Sequence, residues 1–188
     1  MKILSNKIAD FLEKEVKMSG WVYSVRRSGK IGFLTFRDGF GLVQCIVAKN
    51  DVGDDNFELF KTLTQESSLT LTGRVVENER APGGYEVIVN NIDLHQLSKD
   101  YPISPKEHGA DFLMSNRHLW LRSKKQHAIL KIRHQIIKSI RDYFDSNDFT
   151  LVDSPMFTPN AAEGTSTLFG TEYFGKTAYL AQTGQLYG

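Results

Sequence analysis

Three kinds of side chain in the first quarter of the 188-residue chain could together hold an unpaired nucleic-acid base. Phe33 lies in a strand-like run from which its ring could point outward, and Arg26 and Arg27 shortly precede it. A base stacked on an exposed ring gains ~1–3 kcal/mol, and a cation nearby neutralises its phosphate. Gln44 could read a base edge with its amide. The alternative, which composition alone favours, is that Phe33 packs in the core and that the arginines are solvated.

The stretch between Arg117 and Arg141 contains eight lysines and arginines and no aspartate or glutamate. It could contact a phosphate backbone with salt-dependent affinity, or it could be the solvated side of a helix. His118, His127 and His134 lie in the same stretch, nine and seven residues apart. This spacing does not place two metal ligands one helical turn apart. We therefore predict structural roles for these histidines and no metal site.

The other candidate residues carry weaker signals. Cys45 is the only cysteine, which excludes a disulfide framework and a site built from several thiolates. It lies in mid-strand without a companion thiol, so we predict core packing rather than nucleophilic chemistry. No glycine-rich phosphate loop of the two common spacings is present. Glu163 lies in a polar, loop-like stretch from 160 to 167 and indicates no chemistry by itself.

Composition limits the class of protein. The chain is 40% hydrophobic and 24% charged, with a net charge of +1. These values are typical of a globular protein and exclude a polybasic tail and an acidic, disordered chain. Its length allows one large or two small domains. No apolar run reaches the ~18–20 residues of a membrane-spanning helix, and the start does not resemble a secretory signal. We predict a cytoplasmic protein without a membrane partner.

Strand-like runs rich in aromatic and β-branched residues fill the first half of the chain. A helix is predicted over 54–65, with Phe57, Phe60 and Leu63 on one face and Asp54 or Asp55 as its cap. The strands are predicted over 18–25, 31–36, 42–48, 67–76 and 85–94. Three strands, a helix and two strands is the order of a five-stranded barrel of the oligonucleotide-binding type, the OB-fold. We assign this domain to residues 1–97.

The second half begins with a change of composition. Residues 98–113 are polar, lack periodicity and contain two prolines, so we interpret them as a hinge. A long helix is predicted from about 116 to 145, and a short strand at 151–152. The helix has a stripe of apolar residues at the spacing of a buried face. The stripe consists of Ile129, Ile132, Ile136, Ile140 and Phe144.

Residues 20–27, 32–38 and 41–44, with the sequences GWVYSVRR, GFLTFRD and GLVQ, resemble the anticodon-binding barrel of one enzyme family. This family is the aspartyl/asparaginyl/lysyl branch of the class II aminoacyl-tRNA synthetases. Its residues that match Arg26, Phe33 and Gln44 hold and read the central uridine of the anticodon. The resemblance therefore implies that Phe33 is a tRNA-binding residue rather than a core residue.

Three later segments resemble the start of the family's catalytic domain, an antiparallel sheet with helices, which we assign to residues 114–188. FTLVDSPMF over 149–157 resembles the first class-defining motif, which forms the dimer interface and ends near a proline, here Pro155. AEGTSTLF over 162–169 is similar to the loop that closes over the amino acid, whose ammonium Glu163 would meet. QTGQLY over 182–187 resembles the strand whose glutamine, here Gln185, holds the amino acid. The resemblance implies a homodimer.

The amino acid that the resemblance implies is asparagine. Lysyl enzymes have a Gly-Gly-Ala type of sequence where this chain has Glu163-Gly164-Thr165. Aspartyl enzymes place a lysine three residues after the glutamine that matches Gln185, and here that residue is Gly188. A neutral side-chain amide needs no such cation. An aspartyl enzyme, including one that charges more than one tRNA, and a non-catalytic RNA-binding OB-fold module remain as alternatives.

For the complete enzyme the resemblance implies ATP-dependent ligation of the amino acid to its tRNA through an aminoacyl-adenylate, with magnesium bound to the ATP. The arginines that bind the phosphates lie in the family's second and third motifs, which would follow residue 188. No catalytic residue and no metal ligand is therefore assigned in this chain. It resembles the N-terminal part of such an enzyme, and we expect these residues alone to form no adenylate.

Overall fold

The computed structural model describes residues 1–104, 106–160, 167–185 and 187. The chain divides into two compact units, Met1–Gly109 and Ala110–Gly188. The division falls within residues 98–113, the segment that composition indicates as a hinge.

The first unit is a closed five-stranded barrel. Its strands follow one another around the barrel in the order β1-β2-β3-β5-β4, and every neighbouring pair is antiparallel except β3 and β5. This confirms the predicted OB-fold. The elements are a 3₁₀ helix (Ser5–Phe11), β1 (Glu15–Ser28), β2 (Ile31–Arg37), β3 (Leu42–Ala48), α1 (Lys49–Thr62), β4 (Ser68–Glu77), a 3₁₀ turn (Pro82–Gly84) and β5 (Tyr85–Gln96).

The two faces of each strand divide the barrel's core from its surface, since successive side chains point to opposite sides. In β2, Leu34 and Phe36 point inward and are buried, whereas Phe33 and Thr35 lie on the outer face and are half-buried. Helix α1 contributes Phe57 and Phe60 to the core, and Leu63, the residue after its end, is buried there as well; these are the three residues of the predicted face.

Helix α1 begins earlier than predicted. It starts at Lys49 rather than at residue 54, and a kink divides it at Gly53, where φ is +78°. A left-handed backbone is accessible to glycine at little cost, so the chain makes a helical turn before the kink and continues as a helix after it. The predicted cap at Asp54 or Asp55 is wrong. Asp54 instead forms an ion pair of 2.7 Å with Lys49.

Asp38 attaches the N-terminal 3₁₀ helix to the barrel. Its carboxylate is 8% exposed and accepts hydrogen bonds from the Ser5 amide and hydroxyl and from the amides of Phe40 and Gly41. Burial by itself would raise the pKa of Asp38, but these hydrogen bonds together hold it below 3.8. The ionised form is therefore the one that stabilises the fold.

We expect Asp38→Asn to lower the free energy of unfolding by about 1.5–3 kcal/mol at pH 7, because an amide cannot accept all of these bonds. The ionised carboxylate stabilises the fold fully at pH values above the pKa that Asp38 has in the unfolded chain, near 3.8. This stabilisation is lost as the pH falls through the lower pKa of the folded state. In urea unfolding, the difference in the free energy of unfolding between wild type and variant should be constant down to about pH 4. Below that pH the difference should become smaller. Asp10→Asn, at an exposed carboxylate of the N-terminal 3₁₀ helix, is the control. A difference that already shrinks near pH 6 would contradict this role.

The second unit contains helices followed by a small sheet. The sheet is antiparallel with the strand order β6-β8-β7. None of the helices in the residues that the structure describes is long and apolar enough to cross a membrane. The elements are α2 (Ala110–Ser115), α3 (Arg117–Trp120), α4 (Lys124–Asp145), β6 (Phe157–Thr158), β7 (Gly170–Tyr173) and β8 (Lys176–Leu180).

The predicted single helix over 116–145 is interrupted. Ser123 has an extended backbone, and its hydroxyl accepts a hydrogen bond from the Gln126 amide. This is an N-cap, which ends the continuity with α3 and starts α4. The prediction of a strand at Leu151 and Val152 is also wrong, since both residues lie in irregular, exposed chain.

The apolar stripe of α4 is not buried in this chain, contrary to the prediction. Its residues are 45–61% exposed. Helical periodicity shows that one face is apolar, but it does not show what covers that face. We call this surface the apolar face of α4; it consists of Ile129, Ile132, Ile136, Ile140 and Phe144.

Candidate nucleic-acid interface and amino-acid site

Arg26 and Phe33 form a pair on the outer surface of the barrel. They lie opposite each other where β1 and β2 pair, and the guanidinium carbon of Arg26 is 4.7 Å from the centre of the Phe33 ring. This is a cation–π contact, which keeps the charge beside the ring. Phe33 is half-buried rather than part of the core. The pair offers an apolar ring and a cation at one place, as a stacked nucleotide requires.

Arg27, the neighbouring candidate, has a different environment. Its guanidinium donates hydrogen bonds to the backbone carbonyls of Lys61 and Leu63, at 2.8 and 3.0 Å. Those carbonyls lie at the C-terminal end of α1, so Arg27 attaches this helix to β1. Its role in the barrel is structural.

Gln44 lies on the same outer surface, on β3, and pairs with Thr35 of β2. Its side-chain amide donates a hydrogen bond of 2.9 Å to the carboxylate of Glu86 on β5. Asn78 donates to the same carboxylate oxygen, also at 2.9 Å. Because the amide nitrogen of Gln44 is directed at Glu86, the amide oxygen of Gln44 is the group that can accept a hydrogen bond from a base.

Glu86 is the residue that sequence reasoning missed. It is only 9% exposed, and its carboxylate orients the amide of Gln44. The two residues are neighbours because β3 and β5 pair in parallel, across 42 positions of sequence. Alternation within one strand carries no signal of such a pairing, although the OB-fold order could have suggested β5 as the neighbour of β3.

Cys45 lies beside Gln44 on β3 but points into the barrel, where it is fully buried. Burial, and then the charge of Glu86, raise the pKa of its thiol well above the usual range. A thiol in this state is a poor nucleophile. The structure therefore confirms the predicted core packing of Cys45.

The residues predicted to bind the amino acid lie in the second unit, and the structure describes them in part. Glu163 and Gly188 lie outside the described residues. Gln185 is exposed, and its backbone amide donates to the Thr183 hydroxyl at 3.2 Å. Of the two residues that the resemblance assigns to the amino-acid site, Glu163 and Gln185, the structure describes only Gln185.

A small cleft of about 170 Å³ lies where the segment before β6 meets the segment after β8. Gly184 approaches Ser154 so closely that a Cβ at this glycine would lie 2.3 Å from the serine hydroxyl oxygen. Pro155, which the resemblance assigns to a dimer interface, is exposed and lines this cleft together with Thr183 and Tyr187.

The apolar face of α4 continues into a groove. The groove has a volume of about 490 Å³ and is lined mainly by apolar side chains. They include Ile137, Ile140, Phe144, Phe149, Leu151 and Val152. An exposed apolar surface of this extent is typical of an interaction site.

In the part of the chain that the structure describes, no three histidine, cysteine, aspartate or glutamate side chains converge as a metal site would require. The residues present therefore give no support for a magnesium site within this segment. No ligand of the metal and no phosphate-binding group is assigned to them.

Two family models match the chain. An OB-fold nucleic acid binding domain matches residues 16–94, and the tRNA synthetases of class II (D, K and N) match residues 109–188. The first match covers the barrel and the second covers the second unit.

Curated relatives and solved structures agree with these matches. The chain is 54% identical to the asparagine–tRNA ligase of Sorangium cellulosum and 52% identical to that of Desulforamulus reducens, over 98% of its own length in both cases. It spans 42–43% of the length of these relatives.

The crystal structure of asparaginyl-tRNA synthetase from Pyrococcus horikoshii complexed with asparaginyl-adenylate is 39% identical, with a TM-score of 0.91 over the whole chain and 44% of that structure. A putative aspartyl-tRNA synthetase from Leishmania major is 24% identical with a TM-score of 0.86, which shows a shared fold. The chain therefore consists of an OB-fold anticodon-binding domain followed by the start of a class II synthetase domain of the aspartyl, asparaginyl and lysyl type.

Proposed function

We propose that the barrel of this chain binds the anticodon of a tRNA and that Arg26, Phe33 and Gln44 bind its central base. The observation that carries the proposal is the outward Phe33 ring with the Arg26 guanidinium 4.7 Å from its centre. Unpaired anticodon bases can be splayed out and stacked on aromatic side chains, which is how proteins read single-stranded RNA. The cation beside the ring would neutralise the phosphate of the stacked nucleotide.

Gln44 would supply the specificity for uridine. A uridine presents one ring N–H donor between two carbonyl oxygens, so its recognition needs an acceptor at the matching position. The amide oxygen of Gln44 is such an acceptor, because Glu86 takes the hydrogen bond of its amide nitrogen. Glu86 would act as a positioning residue, holding Gln44 in this orientation.

The complete protein would ligate asparagine to its tRNA, with ATP as the second substrate. Asparagine's carboxylate would attack the α-phosphate of ATP and displace pyrophosphate. The resulting adenylate would transfer its acyl group to a hydroxyl of the terminal ribose of the tRNA and release AMP. Asparagine–tRNA ligases that are 50–54% identical to this chain support the proposal. Glu163 and Gln185 would orient the amino acid, so that their contribution comes through positioning. The family's ATP and magnesium would be bound by other residues, and the reaction would take place in the cytoplasm.

The second unit would also form a homodimer. The exposed apolar face of α4, which continues into a groove of about 490 Å³, supports this proposal. A second copy of the same surface would bury these side chains around a two-fold axis. Pro155, exposed near the end of the following segment, would lie in the same interface.

Binding of a tRNA with the asparagine anticodon tests the role of the barrel. We expect Phe33→Ala to weaken binding about 5- to 150-fold, the ~1–3 kcal/mol of one stacked base. Phe40→Ala removes another exposed ring of the barrel, 54% exposed beyond the end of β2, and should leave the affinity unchanged. Equal affinities for the wild type and Phe33→Ala would refute the assignment of this ring.

A further inference from the structure

One side of α4 presents a regular row of basic residues. They recur at alternating intervals of three and four, so that they follow one line along the helix. All six side chains are exposed. We call this surface the basic stripe of α4; it consists of Lys124, His127, Lys131, His134, Lys138 and Arg141.

The basic stripe lies nearly opposite the apolar face of α4. At 3.6 residues per turn, the centres of the two rows are separated by almost half a turn of the helix. The stripe runs for about 25 Å, at a rise of 1.5 Å per residue from Lys124 to Arg141. A second copy of the chain seated on the apolar face would therefore leave the stripe accessible except at its end, where Arg141 also lines the groove.

The stretch of sequence that carries the stripe contains no aspartate or glutamate from residue 117 to residue 141. Residues 117–141 carry a charge of +8, whereas the whole chain carries +1 and the remainder therefore −7. Asp142 is the first acidic residue after this stretch, and it forms an ion pair with Lys138. Four of these eight charges, those of Lys124, Lys131, Lys138 and Arg141, lie on the stripe. A row of like charges on one exposed surface is typical of polyanion binding.

We propose that the basic stripe of α4 binds the phosphate backbone of RNA. The stripe contains no phenylalanine, tyrosine or tryptophan, so we expect it to bind phosphates and position the RNA rather than read its bases. The proposal rests on the proposed function in one respect: the RNA is the tRNA whose anticodon the barrel reads. A membrane-surface helix would have to insert its apolar face into lipid, and in our account that face belongs to the dimer.

Two matched double variants of the full chain test the proposal. Lys131→Gln/Lys138→Gln removes two charges from the stripe, and Lys7→Gln/Lys176→Gln removes two exposed charges that lie outside this helix. Glutamine and lysine have similar helix propensities, and circular dichroism checks that helix content is unchanged. The affinity for a tRNA transcript is measured between 50 and 300 mM salt.

The stripe variant should bind the transcript roughly 25- to 60-fold more weakly at 0.1 M salt, since each phosphate contact releases about 0.7–0.9 counterions. Its slope of log affinity against log salt should be about 1.4–1.8 smaller in magnitude. A transcript with a changed anticodon should show the same loss, because backbone contacts carry no sequence information. The control variant should retain the wild-type affinity and slope.

Equal affinities and slopes for the two double variants would overturn the proposal. It would also be overturned if the stripe variant lost only its binding to vesicles of phosphatidylserine and phosphatidylcholine, with RNA binding unchanged. Phe33→Ala, measured in the same series, distinguishes a failure of the proposal for the stripe from a failure of the proposal that the barrel binds the anticodon. That variant tests the reading of the anticodon, and it leaves the charge of the stripe intact.

Discussion

Replacing Phe60 by alanine is expected to lower the free energy of unfolding of the barrel by about 3–5 kcal/mol, the usual cost of removing a large buried ring. Phe60 is fully buried and packs beside the Phe57 ring, with the two ring centres 5.9 Å apart. It also lies directly against Gly32, the neighbour of Phe33: a Cβ at Gly32 would come within 2.1 Å of the Phe60 ring. The measurement is urea unfolding of the full chain, followed by circular dichroism.

The contact with Gly32 provides a sharper test of the same packing. Gly32→Ala should destabilise the barrel by about 1–3 kcal/mol, because the fully buried Phe60 ring would have to shift within the core to admit the methyl group. The double variant Gly32→Ala/Phe60→Leu should be more stable than the sum of the single effects predicts, since leucine leaves room for the added methyl group. Strict additivity would show that the two positions do not share this contact.

Placing a charge at the centre of the apolar face of α4 should dissociate the proposed homodimer. Ile136 is exposed in the single chain, and it lies midway along the row. Ile136→Asp would bury an unpaired carboxylate in the interface, which costs several kcal/mol. Since ~1.4 kcal/mol corresponds to a tenfold change in a dissociation constant, we expect the dissociation constant of the dimer to rise at least 100-fold. Sedimentation equilibrium of the full chain measures this change.

His134→Asp is the matched control for this prediction. It introduces the same residue two positions earlier, on the opposite side of α4, where His134 is exposed. It should dimerise like the wild type. A wild-type chain that is monomeric at high concentration, or a dimer that persists in Ile136→Asp, would exclude the apolar face as the interface.

The barrel could be predicted from local patterns because its strands alternate buried and exposed side chains. The predicted run 31–36 differs from β2 by one residue, and the predicted run 42–48 coincides with β3. The same alternation allowed two directions for Phe33, and the resemblance to the anticodon-binding barrel decided between them. The structure places this residue on the outer face.

Features that depend on distant pairing could not be predicted in this way. The bond between Gln44 and Glu86 exists because β3 and β5 pair in parallel when the barrel closes. The early start of α1 depends on the left-handed backbone of Gly53, which a hydrophobic pattern does not reveal.

The second unit shows the limit of periodicity most clearly. The stripe of isoleucines predicted an apolar face correctly, but its burial within the chain was a wrong expectation. Packing against a partner and packing against the rest of a chain leave the same 3.6-residue period. The period alone therefore cannot separate a core helix from an interface helix.

The central claim is that the barrel reads the central uridine of the anticodon through Phe33 and Gln44. The most direct test is the affinity of the wild-type chain for two tRNA transcripts that differ only at that base, uridine or cytidine. We expect the uridine transcript to bind at least about 5-fold more tightly, since a matched base edge contributes ~1 kcal/mol or more of discrimination. Equal affinities for the two transcripts would contradict the account.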